Sequence, residues 1–292
     1  MTYGLHDQNG SAVRDWPILI SQKSRLVRQT RRPPATFDQT ISEPVIYAGI
    51  IFGWFGHFIT ESLPNLLAVA EAKKHYPDAR ILAHAHGNIH PAEWKERHAG
   101  HLNYFFDKVG LDLNELEFVL TPTQARTLIV PDAPFSGKFS YKPWVFDAMD
   151  ALWPMPETLR PVFLSRTRLP LISRIENEAT IEEMFTDRGF EIFHPQEHSL
   201  DEQTARIRSA NLIAGPQGSA MHWSLYAPMC RAVVSLGYSS PLQDGICRSR
   251  NQRYVELNGR RPRGGAYRLR RIEFETIEAT LNSLEPISGD AA

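Results

Sequence analysis

Strand and helix patterns alternate at short spacing through the second half of the chain, and this alternation constrains the fold most strongly. Gly189 stands where a C-cap glycine would end a helix, and Glu202 follows Ser199 at the spacing of a capping box. Strands are predicted at 161–165, 191–193, 211–214 and 232–236, and helices at 177–188, from Ser199 and from Met221. Such alternation is typical of a doubly wound, parallel α/β sheet.

The first half shows a weaker version of the same pattern. With 292 residues, the chain is long enough to divide between two lobes. The stiff segment Trp153–Pro156 marks the predicted boundary. We therefore expect lobes at 1–153 and 154–271 and a final helix at 272–284, whose return to the first lobe stays open. In the first half, strands are predicted at 17–20, 44–52, 79–83, 116–120 and 127–130, helices at 58–75, 101–109 and 144–152, and a loop at 132–143.

Composition excludes several classes of protein. The formal net charge is −1, so no overall field attracts nucleic acid or anionic lipid. Two cysteines, Cys230 and Cys247, are too few for a disulfide framework or a four-thiolate zinc site. No apolar run approaches the length of a membrane span, and no signal-peptide pattern opens the chain. We expect a cytoplasmic protein; peripheral contact with the inner membrane face stays open.

A turn of small residues, Gly215-Pro216-Gln217-Gly218-Ser219-Ala220, follows the predicted strand at 211–214. Between a strand and a helix, such a turn exposes backbone N–H groups and a helix N-terminus, and both favour a phosphate. An ordinary tight turn is the alternative. The sequence of residues 215–220 matches neither a Walker loop nor the dinucleotide-binding fingerprint.

Arginines leave the predicted strand at 161–165. They are Arg166, Arg168 and, a little later, Arg174. Guanidinium groups grip phosphate oxygens in a bidentate fork, so arginines beside a glycine turn suit a diphosphate. The alternative interpretation of these arginines is a basic loop exposed to solvent.

Two further groups of residues carry possible chemistry. His57 and Glu61 are four residues apart, so a helix places them on one face, where they can act as general base and orienting partner. A structural histidine with a locally paired glutamate is the alternative. Histidines also cluster further on, but no carboxylate stands in register with them, so we predict no metal site: His84, His86, His90, His98 and His101.

Taken in order, these motifs resemble glycosyltransferase family 61. The resemblance runs from about 163 to 236 and includes Ser165–Arg168, Arg174, Asn177-Glu178 and the glycine turn. A shorter match covers 56–64, where His57 and Glu61 look like the family's His-x-x-x-Glu helix. Where the family turn usually reads Gly-x-His-Gly-Ala-Gly, Gln217 replaces the histidine and Ser219-Ala220 replace Ala-Gly; His222 lies one turn later.

The resemblance implies a GT-B-like α/β fold of two Rossmann-like lobes with mainly parallel sheets. It implies an inverting transferase that needs no metal or other cofactor and moves a sugar from a nucleoside diphosphate, UDP being the expected nucleotide, to a hydroxyl of a surface or capsular glycan or glycolipid. The expected donor-binding residues are Arg166, Arg174, Asn177, Glu178, Gly215, Gln217, Gly218, Ser219 and His222. Glu61 is preferred as the catalytic base over His57. A nucleotide-sugar or glycan-binding subunit without turnover is the alternative.

Overall fold

The computed structural model describes residues 5–11, 13, 33–85, 90–137, 139–170, 175–258 and 271–284. The chain divides into two compact units, Met1–Leu152 and Trp153–Ala292. The strand predicted at 17–20 and the residues Arg174 and His86 lie outside the described part. Within the described ranges, no helix is long and apolar enough to cross a membrane.

The N-terminal unit is built on a four-stranded parallel sheet of order β3-β2-β1-β4. The strands are β1 Gln39–Ile51, β2 Arg80–Ala85, β3 Leu116–Phe118 and β4 Thr123–Ile129. The helices are α1 Phe55–His57, α2 Leu63–His75, α3 Pro91–Lys108 and α4 Pro143–Leu152. The second half of strand β1, residues 45–51, is a continuous buried run of mainly apolar residues, as expected for a strand covered on both faces.

Three expectations for this unit need correction. Helix α3 starts ten residues before the predicted 101–109 segment, because Pro91 occupies its first turn and His90 accepts a hydrogen bond at its N-cap. The predicted loop at 132–143 contains the antiparallel ribbon β5 Phe135–Gly137 and β6 Ser140–Tyr141. The helix predicted at 58–75 begins with a π-helical turn at Phe58–Ser62.

The C-terminal unit is built on a five-stranded parallel sheet of order β11-β10-β9-β7-β8. Its strands are β7 Arg160–Leu164, β8 Glu191–Phe193, β9 Ala210–Pro216, β10 Ala232–Gly237 and β11 Arg253–Asn258. Its helices are α5 Glu178–Thr186, α6 Leu200–Arg208, α7 Pro241–Ser249 and α8 Arg271–Leu284. Two parallel sheets covered by helices confirm the predicted α/β class.

Local signals explain where these elements start and end. Gly189 has φ +76° just after α5, and the capping box of Ser199 and Glu202 opens α6. The helix predicted from Met221 is instead a 3₁₀ helix, Ser219–Tyr226. Helix α8 buries Ile277 and Leu281 in the core of this unit.

The strand order has a direct consequence for binding. Strands β7 and β9 are neighbours in the sheet. From β7 the chain continues to β8 on one side of this pair, and from β9 it continues to β10 and β11 on the other side. In doubly wound sheets a ligand crevice opens at such a switch point, beyond the carboxyl ends of the two strands. The residues that follow β7 and β9 begin with Ser165 and Gln217, so the arginine segment and the glycine turn both start at this point.

Candidate functional site

The glycine turn after β9 is fastened to the neighbouring strand β10. The backbone N–H of Gln217 donates to the carbonyl of Leu236 at 2.8 Å. The Gln217 side chain is 3 % exposed, and its Oε1 accepts from the hydroxyl of buried Ser235. Gln217 therefore anchors the turn through its side chain, and the following residues lie beyond the sheet edge.

The arginine predicted to face this turn does so. A Cβ placed on Gly218 would lie 1.7 Å from Nη2 of Arg166 and 2.7 Å from its Cζ, so the guanidinium rests directly on the Gly218 backbone. A Cβ on Gly215 would lie 2.7 Å from the Leu164 carbonyl. Both glycines are needed because the segment after β7 and the turn after β9 approach more closely than side chains allow.

Two glutamates of α5 hold the arginine-bearing turn Ser165–Arg168. Glu178 is 1 % exposed, and its carboxylate accepts from the backbone N–H of Arg166 at 2.6 Å and of Ile175 at 3.1 Å. Glu182 accepts from the hydroxyls of Ser165 and Thr167. These bonds fix the backbone from which the Arg166 side chain starts.

Burial dominates the electrostatics of this arrangement. It lowers the pKa of Arg166, against the opposing charges of Tyr238 and Glu178, and a guanidinium remains charged throughout the physiological range. Burial raises the pKa of Glu178, although backbone hydrogen bonds from Arg166 and Ile175 and the charge of Arg166 oppose that rise. A cation held in a desolvated crevice binds an anion more strongly than one in water does.

The 3₁₀ helix after Gly218 adds main-chain donors to the crevice. The first two N–H groups of a 3₁₀ helix, here those of Ser219 and Ala220, have no partner within the helix. His222 lies one 3₁₀ turn beyond Ser219, on the same side of the helix. Its Nδ1 lies 3.0 Å from Oε1 of Gln243. Since the Gln243 amide nitrogen donates to Ser224 at 2.7 Å, its oxygen is the acceptor of a proton on His222 Nδ1.

The predicted donor-binding residues thus fall into three groups. Arg166, Gly215 and Gly218 meet at the switch point, with Ser219 and His222 following on the 3₁₀ helix. Gln217 and Glu178 are buried and bonded to the scaffold. Asn177 is the N-cap of α5 and makes no side-chain capping bond.

The predicted pair in the N-terminal unit forms a histidine–carboxylate dyad. Nδ1 of His57 lies 2.5 Å from Oε1 of Glu61. The Glu61 side chain is 5 % exposed and that of His57 is 16 % exposed. The His57 ring stacks on Phe52, with centroids 4.9 Å apart. An ionised carboxylate only accepts hydrogen bonds, so the proton is on Nδ1 and Nε2 carries the lone pair of the neutral ring.

A break in helical regularity positions this dyad. Pro64 has no N–H, so the Thr60 carbonyl lacks its α-helical donor. The turn at Phe58–Ser62 widens to a π-helix, and the hydroxyl of Tyr141 donates to that carbonyl at 2.9 Å. Ser62 accepts from the backbone N–H of Phe52 at 2.9 Å, which ties the turn to the segment after β1. Such π-helical turns occur frequently at functional sites.

Three histidines of the predicted cluster, His84, His98 and His101, have packing roles. His84 pairs with the Tyr47 hydroxyl at 2.8 Å, and a Cβ on Gly53 would lie 2.2 Å from the His98 ring. Burial lowers the pKa of His84 to about 4, and burial together with the charge of His98 lowers that of His101 to about 4. Within the part of the chain that the structure describes, no group of three or more His, Cys, Asp or Glu side chains could hold a metal ion.

Sequence reasoning missed several residues that hold these sites. Glu182 lies four residues after Glu178 on α5, a spacing that could have suggested a shared role. Gln243, Ser235 and Tyr141 carry no local signal, because each acts across the fold on a residue distant in sequence.

A protein-family model for "Glycosyltransferase 61" matches residues 55–234 of the chain. That range covers more than half of the sequence and includes both the dyad and the crevice. The chain belongs to the glycosyltransferase 61 family. As a member, it is a glycosyltransferase.

Comparison of this glycosyltransferase with solved structures finds similar chains. Two are E. coli heptosyltransferase WaaC with ADP and WaaC with ADP-2-deoxy-2-fluoro heptose. Each aligns with 83 % of this chain and 100 % of its own, at 10 % identity and a TM-score of 0.41. No curated protein sequence matches the chain.

Proposed function

We propose that this glycosyltransferase moves a sugar from a nucleoside diphosphate, with uridine as the first nucleotide to test, to a hydroxyl group of a glycan, with inversion at the anomeric carbon. The expected acceptor is a surface or capsular glycan or a glycolipid. The donor diphosphate binds in the C-terminal unit, and the N-terminal unit supplies the base.

One observation carries this proposal: the guanidinium of Arg166 rests on the Gly218 backbone at the switch point of the sheet. The same anion would then contact the guanidinium of Arg166 and the N–H groups that open the 3₁₀ helix at Ser219. Negative charge develops on the leaving diphosphate as the glycosidic bond breaks. Arg166 and these N–H groups stabilise that charge without a divalent metal.

The geometry of the dyad favours His57 as the base and Glu61 as its orienting partner, the reverse of the assignment preferred from sequence. Glu61 is the more buried of the two, and its carboxylate is committed to Nδ1. In the proposed step, Nε2 of His57 takes the proton of the acceptor hydroxyl while the oxygen attacks the anomeric carbon. The diphosphate leaves from the opposite face with the bonding electron pair, and Glu61 stabilises the resulting imidazolium.

A binding subunit without turnover is the second candidate, and Gln217 is the observation that favours it. At the position where the family usually carries histidine, the buried Gln217 amide bonds to Ser235. It therefore cannot supply an imidazole to the donor. In this alternative the crevice binds the nucleotide and no sugar is released.

A panel of nucleotide sugars separates the two candidates. We expect slow release of UDP from at least one UDP-sugar, and loss of that release in Glu61→Ala and Arg166→Ala. Arg160→Ala is the matched control, because Arg160 is an exposed arginine at the start of β7 that pairs with Glu191. UDP binding measured by calorimetry without any release, across the donors and a set of glycan acceptors, would favour the binding subunit. Absence of nucleotide binding would exclude both the transferase and a nucleotide-binding subunit.

A further inference from the structure

The strands of the C-terminal unit begin at the edge of the sheet opposite the donor crevice. Because the sheet is parallel, its strands all start at this edge, and the helices that link them end there. Backbone bonds keep these segments side by side: the N–H of Arg231 donates to the carbonyl of Asn211, and the N–H of Arg253 donates to that of Arg231. We call this surface the amino edge; it consists of segments 153–160, 206–211, 225–231 and 248–253.

Three large apolar side chains are exposed on the amino edge. The exposed fractions are 54 % for Met155, 43 % for Leu159 and 44 % for Met229. Leu159 adjoins the end of α6, because the next residue, Arg160, donates its N–H to the carbonyl of Ser209. A single exposed apolar side chain is ordinary, but several on one edge of a sheet indicate a surface that a partner covers.

A buried guanidinium ties together the two loops that carry the methionines. Arg208 is 2 % exposed and donates to the carbonyls of Trp153 at 3.1 Å and Tyr226 at 3.4 Å, one in each loop. Gln252, 6 % exposed, donates to two further carbonyls around the second loop, at 2.9 and 3.3 Å. Because buried hydrogen bonds hold both loops, less conformational entropy is lost when a partner covers their exposed side chains.

The charge of the amino edge is strongly positive, although the whole chain has a net charge of −1. Its four segments contain a single carboxylate, that of Glu157. Carboxylates outside the segments pair with some of the arginines: Glu191 with two of them and Asp244 with one. Arg231 and Arg253 are exposed and make no ion pair with the described residues. Besides the buried Arg208, the arginines of the amino edge are Arg160, Arg206, Arg231, Arg248, Arg250 and Arg253.

This combination selects one kind of partner. Apolar side chains gain free energy by leaving water for the acyl boundary of a bilayer, and arginines beside them attract anionic headgroups. Arginine also keeps its charge at the headgroups while its apolar stem lies deeper. A nucleic acid would match the arginines but would leave the methionines and the leucine without an apolar partner.

We propose that the amino edge binds the surface of a membrane that contains anionic lipid, with Met155, Leu159 and Met229 inserted at the level of the headgroups. The inference does not rest on the proposed function. Strand β9, Ala210–Pro216, separates the amino edge from the glycine turn by about 20 Å. The donor crevice therefore stays open to solvent while the protein is bound to the membrane.

Flotation of the full chain with vesicles tests the role of charge. The vesicles consist of phosphatidylcholine alone or of equal parts phosphatidylcholine and phosphatidylglycerol. We expect binding to the mixed vesicles that weakens as sodium chloride is added. Arg231→Glu/Arg253→Glu should weaken this binding at least tenfold. The matched control is Arg97→Glu/Arg126→Glu, which changes the net charge equally at exposed arginines of the N-terminal unit and should bind as the wild type does.

A second pair of variants tests the apolar contribution. Leu159→Ser/Met229→Ser should weaken binding to the mixed vesicles at least tenfold, whereas Phe37→Ser/Leu120→Ser, which alters exposed apolar residues elsewhere, should not. All four substituted side chains are exposed, so melting temperatures should be maintained.

If Arg231→Glu/Arg253→Glu does not fold, Arg231→Gln/Arg253→Gln gives the same test with a smaller expected loss. Failure of the wild type to bind the mixed vesicles would overturn the inference, as would full binding by both amino-edge variants. Sedimentation velocity of the protein alone identifies a second copy as the partner: self-association that Leu159→Ser/Met229→Ser abolishes, without vesicle binding by the wild type, would replace the membrane with an interface between copies.

Discussion

The two units prepare their sites by opposite means. The N-terminal unit distorts a helix: a π-helical turn and a proline present a histidine whose partner carboxylate is buried. The C-terminal unit keeps regular strands and uses their order, so that an arginine and a glycine backbone meet where the sheet changes direction. The first arrangement suits the handling of a single proton, and the second suits the binding of a delocalised negative charge. Changes in the first should alter turnover, and changes in the second should alter donor binding.

The largest expected effect tests the turnover side of this comparison. His57→Ala removes the proposed base and should lower kcat about 10²–10⁴-fold, with UDP affinity unchanged because the proposed donor site is in the other unit. Initial rates and calorimetry measure the two quantities. The control is His75→Ala, an exposed histidine at the end of α2. A loss of UDP affinity equal to the loss of kcat would contradict the division of labour.

The next effect tests the binding side. In Gly218→Ala the new Cβ would collide with the Arg166 guanidinium at 1.7 Å. The arginine must move, and we expect about a tenfold loss of UDP affinity, which corresponds to one charge-assisted hydrogen bond of about 1.5 kcal/mol. Gly100→Ala is the control, since nothing lies within 4 Å of its added Cβ and alanine favours the helix. Unchanged UDP affinity in Gly218→Ala would show that Arg166 does not bind the diphosphate of UDP.

Acid should affect the two units differently. His84 and His101 have folded-state pKa values of about 4, below the ordinary value near 6.5. The unfolded chain therefore binds more protons between these values, and the N-terminal unit loses stability as pH falls from about 6.5 to 4, by on the order of 3 kcal/mol per histidine. In the C-terminal unit the raised pKa of Glu178 acts in the opposite direction, because protonation then favours the folded state, whereas the lowered pKa of His194 acts as in the first unit.

Hydrogen exchange, corrected for intrinsic rates, can follow both units at pH 7 and pH 5. We expect protection to fall earlier in 39–129 than in 160–258. His101→Leu should flatten the pH dependence of the first range, since it removes one of the histidines whose pKa burial lowers there. Equal loss of protection in both ranges would show that other groups control acid stability.

The smallest effect tests the support of the dyad. Tyr141→Phe removes the hydroxyl that donates to the Thr60 carbonyl. We expect a loss of about 1 kcal/mol in the free energy of unfolding, together with a lower kcat and unchanged UDP affinity. Tyr104→Phe, on the partly exposed side of α3, is the control. Normal turnover in a destabilised Tyr141→Phe would mean that the hydroxyl serves folding alone.

The sequence predicted the regular parts of both units well. Apolar runs and capping signals located β1, β7, β9 and β10, because a buried strand or a capped helix is decided by adjacent residues. The spacing of His57 and Glu61 predicted their contact. The position of Arg166 at the end of a strand predicted that it would face the glycine turn.

The remaining features depend on residues distant in sequence. The order β11-β10-β9-β7-β8 is a property of the whole sheet, so the switch point could only be expected in general terms. A carbonyl of the π-helical turn, that of Thr60, accepts from Tyr141, which lies 81 positions away. The proposed assignment of His57 as the base uses relative burial, which spacing does not report. The anchoring of Gln217 by Ser235 likewise spans 18 positions.

The π-helical turn at Phe58–Ser62 contains one residue more than an α-helix would need over the same rise. Deleting a single residue there would restore regular winding and rotate the residues before the deletion, His57 among them, about 100° relative to the rest of α2. The rest of α2 would keep its own hydrogen bonds. The loss of one codon can therefore reorient the dyad without rebuilding either unit.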